Sequence, residues 1–476
     1  MQLPDGWVVV GKKDCPTCVY VEPVLAQLAA AGPLTVYTQD DPSWPPGIEA
    51  VDDSALETSW NLQLTTVPTL LEVVDGVEVS RTEGWFRERW EALTGLTGLG
   101  PGLVELRPGC GSRSVEWGVE QELQRRYGGR VLTSRQVELA ELEDEQEALH
   151  DRGWTDGLPV VAPTEERVLR MLTGTTRAPD EVVAVVPPDL VACTVEKVAV
   201  NAVLAGCLPE HLPVVLAAVE TACTDEFNMH GLLATTYPAG PMIIVNGPVR
   251  RALGMNSGGN ALGQGNRANA SIGRALQLVV RNVGGGRPGG VDRAALGQPG
   301  KYTFCFAEDE EGSPFTPLAQ WRGVAAGRSA VTLFAAAGTA PVVDQISRTP
   351  ESLARTFALA LRAVAHPKLA QAFDAVLVVC PEHGEVFRAA GWDRDRLMAE
   401  LEPLLVLPLG EVARGAGGIE EGLPAGVGAP PGVPKFRPGG LLVVYAGGAA
   451  GKFSAVIGGW ISGETGSSPV TGEVGG

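Results

Sequence analysis

Two cysteines three positions apart, Cys15 and Cys18, stand at the head of an apolar-periodic stretch in "KKDCPTCVYVEPVLAQL". On the first turn of a helix, thiols at i and i+3 share a face and can close a disulfide across that turn. The helix start carries roughly half a positive charge, which favours the thiolate of the outer residue. Lys12 and Lys13 act in the same sense. Cys15 is then the attacking sulfur, and Cys18, deeper in the helix, resolves the mixed disulfide. Pro16 suits the first turn because it has no N–H to lose there. Two other readings compete. The pair is half of a zinc site, which needs further ligands such as Cys380 and His383 in "CPEH". Or it is two buried thiols without chemistry.

Cys110, between glycines in "RPGCGSRSVEW", is a candidate third thiol that exchanges with the dithiol or acts on a substrate; the alternative is a loop cysteine with no role. A second constellation lies in "NGPVRRALGMNSGGNALGQGNRANASIGRAL". There a strand end at Asn246 leads through a Gly/Asn-rich loop (Asn256, Gly258, Gly259) into a helix carrying Arg267 and Arg274. Backbone N–H groups of such a loop can cradle an anion, with Arg250, Arg251, Arg267 and Arg274 in reach. The competing reading is an irregular loop whose arginines pair with the acidic "AEDEE" run. "GGAAGKFS" fails as a phosphate loop, because Phe453 follows Lys452 where Ser or Thr is required and the glycine spacing is wrong. Glu226 and His230 in "CTDEFNMH", with Glu308 or Asp309, are parts from which a metal or acid–base site can be built, although a structural histidine is the alternative. Their spacing demands no metal, and no metal ligand is assigned.

The elements that must hold these residues read as α/β. "WVVVG" is a buried strand, and helical periodicity runs from Cys15 to Gly32–Pro33. "LTVYTQ" is a second strand and "DDSALETSW" a helix capped by Asp53 or Ser54. "TTVPTLLEVVDGVEVSRTEGW" is a hairpin turning at Asp75–Gly76. Helices are expected over 114–129 and in "AELEDEQEALHDRGW". Later stretches alternate helix and strand, including a helical pair broken at Pro209, the strand "PMIIVNGP", a strand–helix step at "FDAVLVVCPEHG" and the strand "GGLLVVYAGG". This alternation favours an α/β domain with a mostly parallel or mixed sheet. The expected organisation is 1–98 as a first domain, 99–150 as a linker with two helices and Cys110, 151–465 as a larger α/β domain, and 466–476 as a disordered tail.

A net charge of −19 over 476 residues argues against nucleic acid and anionic membrane as partners, since both need a basic face. No apolar run approaches the roughly 20 residues of a membrane span. The first fifteen residues lack the layout of a signal peptide. The eight cysteines are mostly scattered in apolar surroundings, as in a cytoplasmic protein with reduced thiols.

With "CPTC" opening a helix and "TTVPTLLEVVDGVEV" downstream, residues 1–98 resemble a thioredoxin or glutaredoxin-like domain. The resemblance implies that Pro68 is the family's cis-proline beside the dithiol, offering backbone groups to a bound substrate strand. Two features depart from thioredoxin proper: no acidic residue stands in "WVVV", and no tryptophan precedes Cys15. The stretch 150–465 resembles large uncharacterised domains associated with proteins bearing a U-G-S-C motif, of which "CGS" at Cys110 is a partial likeness. The expectation is a thiol–disulfide oxidoreductase with a redox-active disulfide and no other cofactor. Its partners would be a redox protein or glutathione, and its dithiol would serve a fused domain acting on a small anionic, sulfur- or selenium-linked metabolite. The alternatives are a redox-sensing or partner-binding protein, and a metal-dependent hydrolase or lyase with a protective redox head.

Overall fold

An apolar run such as Val8–Val10 has no polar face to offer water, and all three side chains are fully buried. They form the middle strand of a sheet in the first of two units, Met1–Thr133 and Ser134–Gly476. The structure is a computed structural model that describes residues 3–116, 119–128, 132–140, 143–461 and 466–475.

The first unit runs β1 (Gly6–Gly11), α1 (Pro16–Tyr20), α2 (Glu22–Ala31), β2 (Leu34–Thr38), β3 (Ala50–Asp52), α3 (Glu57–Asn61), β4 (Thr66–Val67), β5 (Thr69–Val74), β6 (Val77–Glu83), β7 (Trp85–Phe86), α4 (Arg87–Thr94), β8 (Leu106–Arg107), β9 (Cys110–Gly111) and α5 (Val119–Tyr127). Its sheet has the order β3-β2-β1-β5-β6, with β1–β2 and β2–β3 parallel and β1–β5 and β5–β6 antiparallel. The hairpin turns at Asp75 and Gly76, both at positive φ, as a two-residue hairpin loop requires. The helix expected from Cys15 to Gly32 is two helices meeting at Val21. Pro23 explains the break: it has no N–H to bond back to Val19, and its ring crowds that carbonyl. Asp53 caps α3 from outside, accepting from the backbone N–H groups of Thr58 (2.8 Å) and Ser59 (3.0 Å). The helix expected over 114–129 occupies Val119–Tyr127, with 117–118 and 129 outside the described residues.

The boundary expected at residue 98 falls instead at Thr133. Residues 99–111 are sewn onto the head. β8 pairs with β7 and β9 with β4, both antiparallel. Trp85 Nε1 donates to Val104 O (2.6 Å), and Thr17 Oγ1 donates to Pro108 O (2.7 Å). Proline and glycine in this stretch mark turns of a packed segment, and composition alone does not distinguish those from a linker.

The second unit runs α6 (Glu145–Asp151), α7 (Glu165–Leu172), β10 (Val182–Val186), β11 (Val191–Thr194), α8 (Val195–Ala205), α9 (Leu212–Ala222), α10 (Met229–Ala234), β12 (Gly240–Asn246), α11 (Val249–Ala252), α12 (Arg267–Asn282), β13 (Cys305–Ala307), α13 (Leu318–Trp321), β14 (Ala330–Val343), α14 (Pro350–Arg362), β15 (Ala375–Val379), α15 (Pro381–Ala389), α16 (Arg394–Leu404), β16 (Val406–Pro408), α17 (Leu409–Val412), β17 (Gly432–Pro434), β18 (Leu441–Tyr445), β19 (Phe453–Gly459) and β20 (Val470–Glu473). Its main sheet has the order β13-β12-β14-β19-β15-β18, with β20 added to β14. Pairing is mixed: β12–β13 and β15–β18 are parallel, and the other pairs are antiparallel. The protein is therefore α/β with mixed sheets.

Alternation along β15 and β18 splits the core in two. Leu377, Val379, Val443 and Tyr445 join Phe357, Phe387 and Leu401 on one face, while Val376, Val378, Leu442 and Val444 join Phe306 and Phe334 on the other. The tail expected to be disordered forms β20, pairing Val470–Glu473 with Leu333–Ala330. β19 pairs with β14 only from Ala336 onward, so the first half of β14 would otherwise keep an open edge. Among the described residues, no helix is long and apolar enough to cross a membrane.

Glu308 and Arg394 form a buried ion pair in this unit, 0% and 2% exposed, with Nη2 and Oε1 3.4 Å apart. Glu308 Oε2 also accepts from Asn246 Nδ2 (2.6 Å) and from the Leu318 N–H (2.7 Å). Arg394 donates to the carbonyls of Thr316 (2.6 Å) and Val443. Removing one member strands the other charge in the core. Arg394→Met should lower the stability of this unit by about 3–5 kcal/mol in urea unfolding, and pairing it with Glu308→Gln should return part of that loss.

Candidate functional site

Residues from three places in the first unit, the start of α1, β4 and β9, gather around Cys15. Cys15 is the N-cap of α1, with extended backbone (φ −140°, ψ 112°), and its Sγ accepts from the Cys18 N–H at 3.3 Å. Cys15 and Cys18 lie 3.2 Å apart. Cys18 Sγ in turn accepts from the Lys12 N–H (3.5 Å), and Gly11 leaves room for it, since a side chain there would meet Trp44 and the Cys18 sulfur. The Val67–Pro68 peptide is cis, and Val67 O lies 3.7 Å from Cys15 Sγ. On the outer side of Val67, β9 places Cys110 directly opposite it in register. Cys110 packs, half-buried, against the cluster that holds Cys15 and Cys18.

The electrostatics follow from who donates to whom. The Cys15 thiol is lowered from 9.0 to about 5, first by the hydrogen bond it accepts from the Cys18 thiol. Burial opposes this, and the Cys110 thiol and the backbone N–H groups of Cys18 and Thr17 add to it. Cys18 moves the opposite way, raised by burial and by donating to Cys15. Cys110 is raised for the same two reasons. The shifts run in opposite directions, favouring the thiolate at Cys15 and the protonated thiol at Cys18 and Cys110. The expected contribution of the helix start enters through its N–H groups. α1 is a five-residue turn, so its contribution is the two N–H groups aimed at Cys15. Lys13 is engaged with Asp41 (2.6 Å), and Lys12 Nζ sits 3.8 Å from Glu116.

A polar network fixes the segment that carries Cys110. The buried Gln39 side chain donates to Ser59 Oγ and Ser112 Oγ (both 2.7 Å) and accepts from the Arg113 N–H (3.0 Å). Ser114 Oγ donates to Leu64 O (2.8 Å). Gly109 is required by close approach, since a Cβ there would lie 2.7 Å from Val67 O and also meet the Thr66 side chain. Gln39, Ser112 and Gly109 were not singled out from the sequence. The only signal was the "PGCG" punctuation around Cys110.

The residues expected to bind an anion lie in the second unit and have partners within the protein. Asn246 donates to Glu308 and Glu310. With Arg250, Arg251, Glu310 and Glu311 it lines a cavity of about 180 Å³. Arg250 and Arg251 pair with the acidic run, through Glu310 and Glu311. Arg274 forms a two-pronged pair with Asp156 (2.8 and 2.7 Å), and Arg267 Nε donates to Gly206 O. Asn256 closes its own loop, bonding to the Gly258 N–H and to Gly259 O. That loop meets the turn after β18, where the Gly447 N–H donates to Ser257 O (2.9 Å). Lys452, in the same turn, stands at positive φ and its N–H donates to Glu382 (2.6 Å).

Cys380 and His383 do face each other at the start of α15. His383 bonds to Ser454 Oγ (2.7 Å) and Asp344 O (2.9 Å), and both residues are buried. Burial is the largest single influence on the Cys380 thiol and pushes it up, but hydrogen bonds with His383 and Ser454 and the charge of His383 together outweigh it, and the net direction is down. Glu226 and His230 are exposed, whereas Glu308 is spent on Arg394 in the core. Among the described residues, no group of three or more His, Cys, Asp or Glu side chains is placed to hold a metal ion.

No family model, curated protein or solved structure matches this chain.

Alkylation of Cys15 in the reduced protein should follow its thiolate fraction, rising through about pH 5 and staying level above it, where an ordinary thiol rises near 9. Cys110→Ala removes one donor, so the midpoint should move upward. Peptide-resolved iodoacetamide labelling against pH measures both.

Proposed function

We propose that the N-terminal unit is a thioredoxin-like thiol–disulfide oxidoreductase with Cys15 as nucleophile and Cys18 as resolving thiol. One observation carries this reading: Cys15, the N-cap of α1, accepts from the Cys18 N–H (3.3 Å) with Cys18 itself 3.2 Å away, surroundings that lower the Cys15 thiol to about 5. The cis peptide before Pro68, flanking the same sulfur, supports it further.

The thiolate of Cys15 attacks one sulfur of a disulfide R–S–S–R′, forming Cys15–S–S–R and expelling R′S⁻, which takes a proton from solvent. Cys18 then loses its proton and attacks the Cys15 sulfur. The Cys15–Cys18 disulfide forms and RS⁻ leaves as the second thiol. Two electrons pass from the dithiol to the substrate, and a thiol reductant of the glutathione or dithiol-protein class must restore the pair. The proton on Cys18 suits this order, since a resolving thiol that stayed ionised would compete with Cys15 for the first attack. Covalent fusion to Ser134–Gly476 gives the dithiol a high effective concentration toward any disulfide or oxidised thiol formed on that unit.

The full chain should reduce insulin or a glutathionylated peptide with a thiol reductant present, and Cys15→Ser should lower the rate at least about 100-fold, the scale on which loss of a nucleophile is felt. A Cys15→Ser protein that keeps its rate would sink this reading.

A further inference from the structure

Cys15 is only 1% exposed, although its sulfur is the atom that must meet a disulfide. What covers it is the chain itself. β9 is paired antiparallel onto Thr66–Val67, with Val67 opposite Cys110 and Thr66 opposite Gly111, and the Ser112 N–H continues the pairing to Thr65 O at 2.9 Å. Thr17, two residues after Cys15, clasps the same segment through Pro108 O. The backbone edge beside the nucleophile is thus already filled by an extended peptide, and that peptide carries Cys110 opposite Val67, whose carbonyl lies 3.7 Å from Cys15 Sγ, and packs it against the cluster that holds Cys15. Gly109 allows the two backbones to approach this closely.

The geometry points to Cys110 as a third exchanging thiol: residues 106–111 cover the backbone edge beside the nucleophile, and Cys110 forms a reversible disulfide with Cys15. This rests on Cys15 being the nucleophile proposed above. With glutathione disulfide as oxidant, Cys15 first becomes Cys15–S–S–glutathione and one glutathione leaves as a thiol. Cys110 then gives its proton to solvent and attacks the Cys15 sulfur. The bond to glutathione breaks, the Cys15–Cys110 bond forms, and the second glutathione leaves and is protonated. Cys18 can afterwards attack Cys15 in turn, forming Cys15–Cys18 and returning Cys110 to the thiol with no net change in oxidation. An extended protein substrate must displace 106–111, whereas a small disulfide needs only a brief opening. The segment therefore selects by size as well as by redox chemistry.

The test uses the full chain carrying Cys18→Ser. It is treated with glutathione disulfide, quenched in acid, alkylated and mapped by non-reducing peptide mass spectrometry. The expected product is a Cys15–Cys110 cross-link with no glutathione retained. A lasting glutathione adduct on Cys15 with Cys110 alkylated overturns the inference while leaving the nucleophile assignment standing. A Cys15 that glutathione disulfide never modifies overturns both. In a second arm, Thr17→Val and Gly109→Ala loosen the cover without removing a thiol. Iodoacetamide labelling of Cys15 should become about five-fold faster in Thr17→Val, the worth of one hydrogen bond, and faster still in Gly109→Ala. Unchanged labelling in Thr17→Val overturns the covering role, whether or not Gly109→Ala folds.

Discussion

The antiparallel pairing of Thr66–Val67 with Cys110–Gly111 is the constraint on which the first unit's chemistry turns. It consists of little backbone, yet it decides where the third sulfur lies. Gly109 makes it sterically allowed, the Gln39–Ser112–Arg113 network holds its far end, and Thr17 holds its near end. With the segment in place, Cys15 has donors on two sides. A buried sulfur can then carry charge, because each donated hydrogen bond replaces part of the hydration that burial removed.

The charge on Cys15 is a property of the cluster. Burial raises an isolated thiol: buried Cys193 and Cys207 and half-buried Cys223 are each pushed up to about 12. Cys15 differs in having two thiol donors and two N–H groups aimed at it. Burial first, and then the hydrogen bond each gives to Cys15, raises Cys18 and Cys110, so what lowers one sulfur helps to raise its two neighbours.

The second unit is built on the opposite principle. Its conspicuous polar residues are largely spent on one another: Glu308 on Arg394 and Asn246, Arg274 on Asp156, His383 on Ser454 and Asp344. Buried polar groups in a mixed sheet of this size must find partners, and these largely did, although Asn246 Oδ1 is buried without one. Several loops nonetheless gather where β15 and β18 end: the Asn256–Gly259 loop, the Gly447–Lys452 turn and the start of α15 at Cys380.

Much of the local structure was legible in the sequence, because it is dictated over a few residues. The buried valines of β1, the hairpin at Asp75–Gly76, the break at Pro209 and the CPTC turn follow from side-chain periodicity and backbone preference. Those act within one turn or strand pair. Local reasoning erred where two distant segments compete for one partner. Residues 99–111 look like a linker until the open edge of β4 and the side chain of Trp85 claim them, and the Gly-rich tail looks disordered until β14 needs an edge strand. The arginines after β12 look free until Glu310, Glu311 and Asp156 take them. The sequence by itself determined which residues can do chemistry at the N-terminus, since a C-x-x-C turn brings its two sulfurs together through backbone geometry alone. Only the tertiary structure decided that Cys110 joins them, because strand pairing across 43 residues of chain, from Val67 to Cys110, is chosen by the complementarity of two edges. No spacing rule encodes that choice.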